Sequence, residues 1–400
     1  MNRKQLTTII GLIGVIAFLN GCERFEPKAP GEEELLDGPI PGLTTEETKI
    51  FFDGDVAFND EVFVRASGLG PTFVATSCGS CHAGDGKGHP FTTLTRFGQS
   101  GPGENDFLMQ GGPQLQNRAI PGFKPETMPA GATYSKFMPP ANTGLGFLEA
   151  VTDADIIAMS DPNDVDGDGI SGVPQWKKLA SFIEPHQGAV ERNGMYIHRF
   201  GKKASAYNLL HQTVAAYSED MGVTSIFLPK SVYNGLETDP EVSTQTVNDV
   251  VFYLQTLKAP IQRNRDNAEV MAGKRVFSQI NCNGCHKPEL KTGFYPIEVL
   301  SNKTFYPYTD LLLHDMGPDL DDGYTEGNAE TNEWRTPPLW GLGLSPNSQG
   351  GQYFLMHDGR ATSIDAAIKL HGVEAADSRD QYNRLSESEK SSLLKFLESL

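Results

Sequence analysis

The sequence predicts a mainly α-helical protein made of two tandem domains of one kind, with long loops between its helices. Three observations predict it. A chain of 400 residues is longer than one hydrophobic core usually organises. Two distant stretches carry apolar residues at the same helical offsets, i, i+3, i+4 and i+7: Val247, Val250, Val251 and Leu254, then Leu393, Phe396, Leu397 and Leu400. A glycine followed four residues later by phenylalanine, Gly54 with Phe58 and Gly273 with Phe277, precedes each of two copies of one cysteine motif.

Residues 1–22 read as an export signal: Arg3 and Lys4, then an apolar run from Ile9 to Leu19 too short to span a bilayer, then Asn20, Gly21 and Cys22. A small residue before cysteine at that place resembles a bacterial lipoprotein signal, which would make Cys22 the acylated first residue of the mature chain. The expectation is therefore an exported, periplasmic protein held to a membrane by a lipid. Residues 23–45, rich in Pro, Gly and Glu, read as a tether. The N-terminal domain is expected over 46–260, closing on the helix through Val247–Leu254. Lys258 to Asn267, with Pro260 and several charges, reads as a linker. The C-terminal domain, 268–400, opens on a helix through Gly273 and closes on one that Ser386 and Glu389 would start with a capping box. Strand signals are sparse, and 42 Gly with 26 Pro imply long connections.

With 33 basic against 51 acidic residues the chain carries a formal charge of −18, which repels phosphate backbones and excludes nucleic acid as the expected partner. Loss of residues 1–21 removes Arg3 and Lys4 and no acid, which takes the charge to −20. A basic protein partner fits such a surface.

Of five cysteines, one sits at the lipid position and four fall in Cys78-Gly79-Ser80-Cys81-His82 and Cys282-Asn283-Gly284-Cys285-His286. Both are C-x-x-C-H, the attachment motif of c-type haem. Two thiols at that spacing can each add to a haem vinyl group, and the adjacent His82 or His286 is then held under the porphyrin as iron ligand. A redox dithiol has no need of the histidine, and zinc would need two further ligands nearby. Two covalently bound c-type haems are the expectation. A helix before each motif and a closing helix crossing it is the way a cytochrome c-like domain clamps its haem.

Several segments then resemble the bacterial di-haem oxidoreductase family, related to di-haem cytochrome c peroxidases and sometimes labelled thiol oxidoreductases. They are Asp310-Leu311-Leu312-Leu313-His314-Asp315-Met316-Gly317, Glu333 to Gly341, His357-Asp358-Gly359-Arg360, Asp166 to Gly172, and Asp220 to Ser225. The resemblance runs from about residue 45 to the end. It implies a reactive haem in the N-terminal domain and an electron-storing haem in the C-terminal one. In the related peroxidases a Gln and, some ten residues on, a Glu before Met-Gly line the reactive pocket; here the matching positions are Gln212 and Asp220, with Glu219 as a neighbouring alternative. The second haem's other axial ligand is implied to follow the run Ser363 to Leu370, where this chain has His371; Met356 is the competing ligand. His357 and Arg360 are implied to lie near the propionates between the domains. His89 is a candidate inactive-state ligand of the first haem, and His198 and His211 are further candidates without context. Trp176, Trp334 and Trp340 are candidate bridges for electrons, and Lys202 stands where many relatives carry Trp.

Asp164, Asp166, Asp168 and Gly169 fall at positions 1, 3, 5 and 6 of a calcium loop, although position 12 is Gln175 rather than an acid. Related peroxidases hold calcium between their domains, so calcium is carried as a candidate cofactor. The expected function is reduction of hydrogen peroxide with electrons from a small donor protein, a cytochrome c or cupredoxin. The alternatives are a di-haem electron carrier without catalysis and an oxidase of a protein or organic substrate.

Overall fold

Helix crossings at glycine organise the fold. The computed structural model describes residues 30–229 and 240–400; the export signal, Cys22 and the first part of the tether lie outside the described residues. Helix α1 (Thr45–Asn59) starts on Thr44, whose side chain accepts the Glu47 N–H while the Glu47 carboxylate accepts the Thr44 N–H. It crosses α5 (Thr244–Thr256) at Gly54, where a Cβ would lie 2.1 Å from the Asp249 carbonyl oxygen. Only glycine permits that approach. Helix α6 (Ala268–Gln279) and the terminal helix α10 (Glu387–Ser399) repeat the arrangement at Gly273, where a Cβ would lie 1.9 Å from Ser392 O. Phe58 and Phe277, four residues after each glycine, are buried, so the spacing shared by the two sequence halves is a shared packing rule. The apolar offsets on α5 and α10 face inward, with Val247, Val250, Leu393 and Phe396 fully buried, and the Ser386–Glu389 capping box is formed.

Further helices fill the connections: α2 (Leu145–Glu149), α3 (Asp153–Met159), α4 (Leu209–Met221), α7 (Ser345–Ser348), α8 (Ile364–Lys369) and α9 (Ala376–Arg384). Helix α4 is capped by Asn208, which accepts the His211 N–H at 2.8 Å, and ends on Gly222 at a φ of 63°.

The expectation of a plainly helical protein needs correction. Among the described residues five small antiparallel sheets join the helices. They pair β1 (Thr72–Phe73) with β3 (Arg118–Ala119), β2 (Leu94–Gly98) with β4 (Thr133–Phe137), β8 (Leu290–Lys291) with β9 (Thr304–Phe305), and β10 (Leu313–Asp315) with β11 (Glu333–Arg335), while β7 (Met195–His198) lies between β5 (Gln175–Lys177) and β6 (Glu191–Arg192). Most of these strands have two or three residues, too few to display a period of two, and Thr133–Phe137 alternates in burial but puts Ser135 on its buried face and Tyr134 on its exposed one.

Residues 36–400 form one compact unit. It begins inside the stretch expected to be a tether: Leu36 and Ile40 are buried, and the Ile40 N–H donates to Thr256 O at 2.8 Å. The stretch read as a linker is likewise fixed, since the Arg263 N–H donates to Ser399 O at 2.8 Å. One large apolar cluster gathers α1, α4 and α5 and also takes in Leu290, Phe305, Leu311, Leu312 and Trp340; a second gathers α6, α8, α9 and α10. No helix of the described residues is long and apolar enough to cross a membrane.

Candidate functional site

The two C-x-x-C-H motifs adopt the same turn. The amides of Cys81 and His82 both point at Cys78 O, at 3.1 and 3.0 Å, and the His286 amide donates to Cys282 O at 3.0 Å. The turn sets both thiols and the imidazole of a motif together, and none of the four sulfurs is in a disulfide. Each imidazole is oriented by a backbone carbonyl, His82 Nδ1 at 2.9 Å from Pro140 O and His286 Nδ1 at 3.0 Å from Tyr308 O. Donation from Nδ1 leaves Nε2 with its lone pair free, the tautomer an iron ligand requires. Burial lowers both imidazoles to about 4, so they stay neutral, and raises the thiols of Cys78 and Cys282 to about 12.

Both motifs open into one continuous cavity of about 390 Å³, within the range of roughly 300–1,000 Å³ usual for cofactor sites. A void lined by Cys78, Cys282, Cys285 and two neutral imidazoles with free Nε2 atoms, with Cys81 in the same turn as Cys78, fits a haem at each end.

Over the first motif stands helix α4. Gln212, Thr213, Ala216, Tyr217 and Asp220 share one face of it and line the cavity. The helix end is tied to the approach to Cys78, because the Val74 and Ala75 amides both donate to Asp220 O. Glu219, considered as an alternative to Asp220, faces away and pairs with Arg96 at 2.7 Å; Arg96 also reaches Glu326 at 2.6 Å. Gln114 Nε2 donates to the Asp220 carboxylate. Burial, with Glu219 adding, raises the Asp220 carboxyl to about 7, against the opposing pull of Gln114 and Arg96. Arg96 and Gln114 escaped the sequence reading because they lie more than a hundred residues from their partners and share no pattern with them.

Around the second motif stands His371, in the turn after α8. Its Nδ1 lies 2.8 Å from Ala367 O, which again leaves Nε2 free, and it lines the same cavity as His286. Met356 also lines the cavity, at a φ of 68°, and packs beside Leu320 and Trp334. His314, quoted above only as part of a motif, is the residue whose importance emerges from the fold. It is buried between Asp310, at 2.9 Å, and Glu374, at 2.7 Å, and lies 3.5 Å from Cys285 Sγ. The two carboxylates hold its imidazolium well above the ordinary histidine range.

Other candidates fall elsewhere. His357 lines the cavity but is stacked on Trp334 at 3.7 Å and bonded to Asp322 at 2.7 Å. Arg360 lies off the lining, its guanidinium taken by Asp322, Asp358 and Asp319 O. His89 packs on Phe91 and Phe354 outside the lining. His198 and His211 sit behind it beside Tyr207. Trp334 and Trp340 line the cavity; Trp176 lies against a separate depression under Arg192. In the acidic loop the converging carboxylates are those of Asp161, Asp164 and Asp166. Asp168 turns onto the Ile170 N–H.

The family described as "Di-haem oxidoreductase, putative peroxidase" matches residues 135–400. No curated protein matches the chain. Among solved structures, hydrazine synthase from Kuenenia stuttgartiensis is similar over 94% of each chain at 14% identity and a TM-score of 0.39, a likeness too distant to carry anything across.

Proposed function

This chain belongs to the di-haem oxidoreductase family, and from that premise we propose that it binds two haems covalently, through Cys78 and Cys81 and through Cys282 and Cys285, and reduces hydrogen peroxide. His82 and His286 would each hold an iron through Nε2. When bound, the haems supply the electrons that convert peroxide, with two protons, to two waters.

The observation that carries this reading is the asymmetry of the two ends. The His286 end has His371, a second imidazole with a free Nε2, and suits a six-coordinate, electron-storing site. Among the described residues the His82 end has no second imidazole with a free Nε2 on its lining; it has Asp220, Gln212 and the α4 face instead. A carboxyl raised to about 7 can accept a proton from one peroxide oxygen and return it to the other at neutral pH. Gln212, on the same face, can orient peroxide. Gln114 acts on Asp220 from behind, Arg96 acts on it from the cavity lining, and Glu219 is a positioning residue through Arg96.

In the same reading the C-terminal segment from 268 and the N-terminal segment to 260 each build a cytochrome c-like domain. Electrons arrive singly from a basic cytochrome or cupredoxin, and Cys22 anchors the chain to a membrane facing the periplasm. Calcium in the acidic loop is tested by adding it to chelated protein. The deciding experiment is the EPR spectrum of the two-haem protein, oxidised and half-reduced, before and after peroxide. One high-spin haem consumed by peroxide supports the reading. Two low-spin haems indifferent to peroxide make the protein an electron carrier instead.

A further inference from the structure

Three of the cations on the cavity lining stand apart from any ion pair. Lys87 comes from the loop five residues beyond His82, Lys202 from the turn after β7, and Arg335 from the end of β11; all three line the cavity. The last two are joined through the backbone, as the Arg335 N–H donates to Lys202 O at 3.0 Å and Arg335 Nε to Gly201 O at 2.9 Å.

None of the three has a carboxylate of the described residues within ion-pair distance. That is unusual in a chain of net charge −18. Other cations set into the protein are accommodated: Arg96 by Glu219 and Glu326, Arg199 by Asp153, and Lys203 by the carbonyls of Glu330, Thr331 and Glu333. Three half-buried like charges set together with no carboxylate at ion-pair distance are costly. The strain is visible in Lys202, whose ammonium is pushed down to about 7 by burial and then by Lys87 and Arg335. The missing negative charge is expected from whatever fills the cavity.

The cluster spans both ends. Lys87 follows His82 by five residues and Lys202 bears on that imidazole, while Arg335 pairs across the sheet with Leu313, next to His314, which lies 3.5 Å from Cys285 Sγ.

We propose that Lys87, Lys202 and Arg335 form one carboxylate-binding site shared by the two haems, taking a propionate from each, and that Lys202 thereby raises the reduction potential of both. The inference rests on the two-haem reading above. A fixed positive charge favours the less positive, reduced form of each haem. Because the same cations serve both groups, adding an electron to one haem is felt at the other through a common site.

The test uses the two-haem protein, its Lys202→Met and Lys202→Arg variants, and spectroelectrochemical titration of each haem. A pyridine haemochrome count comes first: fewer than two covalent haems in the unsubstituted protein overturns the two-haem reading itself. With two haems present, the expected result is that Lys202→Met lowers both potentials while Lys202→Arg restores them. A shift at one haem alone, or at neither, overturns the shared site. Should Lys202→Met fail to mature, redox-linked infrared spectra of the unsubstituted protein decide. Ionised propionates on both haems near neutral pH support the site, and protonated ones overturn it. Acetate added to the loaded protein separates the source of the carboxylate: potentials indifferent to acetate support propionates in place, and an acetate-dependent shift shows a site open to free anions and overturns the assignment.

Discussion

At the scale of single residues, Asp220 and His371 do opposite things with burial. Burial discourages charge on a carboxyl and on an imidazole alike. For Asp220 it raises the carboxyl to about 7, poised to exchange a proton; for His371 it lowers the imidazole, keeping the lone pair available. Asp220 must be ionised to accept a proton from peroxide, so turnover is expected to fall as pH drops through about 7. Asp220→Asn should lose roughly 10²–10⁴-fold in peroxide turnover while keeping both haems, and should flatten that pH profile; steady-state rates across pH check both. His371→Met should raise the potential of one haem, because thioether ligation favours the reduced iron. Met356→Leu should leave both potentials and spin states unchanged, and a loss of the low-spin EPR signal in that variant would make Met356 the ligand instead.

At the scale of elements, the two glycine crossings make the sharpest prediction. A methyl group on Gly54 or Gly273 would sit about 2 Å from a facing backbone carbonyl, so the helices must part. Overpacking of this kind typically costs about 1–3 kcal/mol. Gly54→Ala and Gly273→Ala should each lower the thermal midpoint and reduce haem incorporation, Gly54→Ala at the first motif and Gly273→Ala at the second; the motif that loses haem, read from haem peptides after proteolysis, checks the pairing. Ser386→Ala removes the cap of α10 and should cost about 0.5–2 kcal/mol without touching the crossing. The crossings were legible in the sequence because glycine, phenylalanine and the apolar offsets recur locally. The small sheets were not, since each strand borrows its stability from a partner distant in the chain; Leu94 pairs with Phe137 and His314 with Trp334.

At the scale of the whole molecule, charge is the property that matters. A net −18 steers basic partners and repels acidic ones over a screening length of about 10 Å at 0.1 M salt. The association rate with a basic electron donor should therefore fall steeply as salt is added, and an acidic donor should show the reverse trend; stopped-flow reduction at several ionic strengths checks it.

The sequence by itself determined the chemistry that lies in short contiguous stretches. Cys78 to His82 and Cys282 to His286 announce haem, the Gly-Phe spacing at Gly54 and Gly273 announces the repeat, and the acid excess sets the net charge. These signals are readable because thiol spacing, helical period and charge are local or additive. What only the tertiary structure decided is which distant groups face one another: that Asp220 rather than Glu219 looks into the cavity, that Arg360 is spent on Asp322, that His314 is clasped by Asp310 and Glu374, and that Lys87, Lys202 and Arg335 share one wall. Proton affinity and ligand choice depend on burial and on neighbours brought together from a hundred or more residues away, and no local pattern encodes those distances.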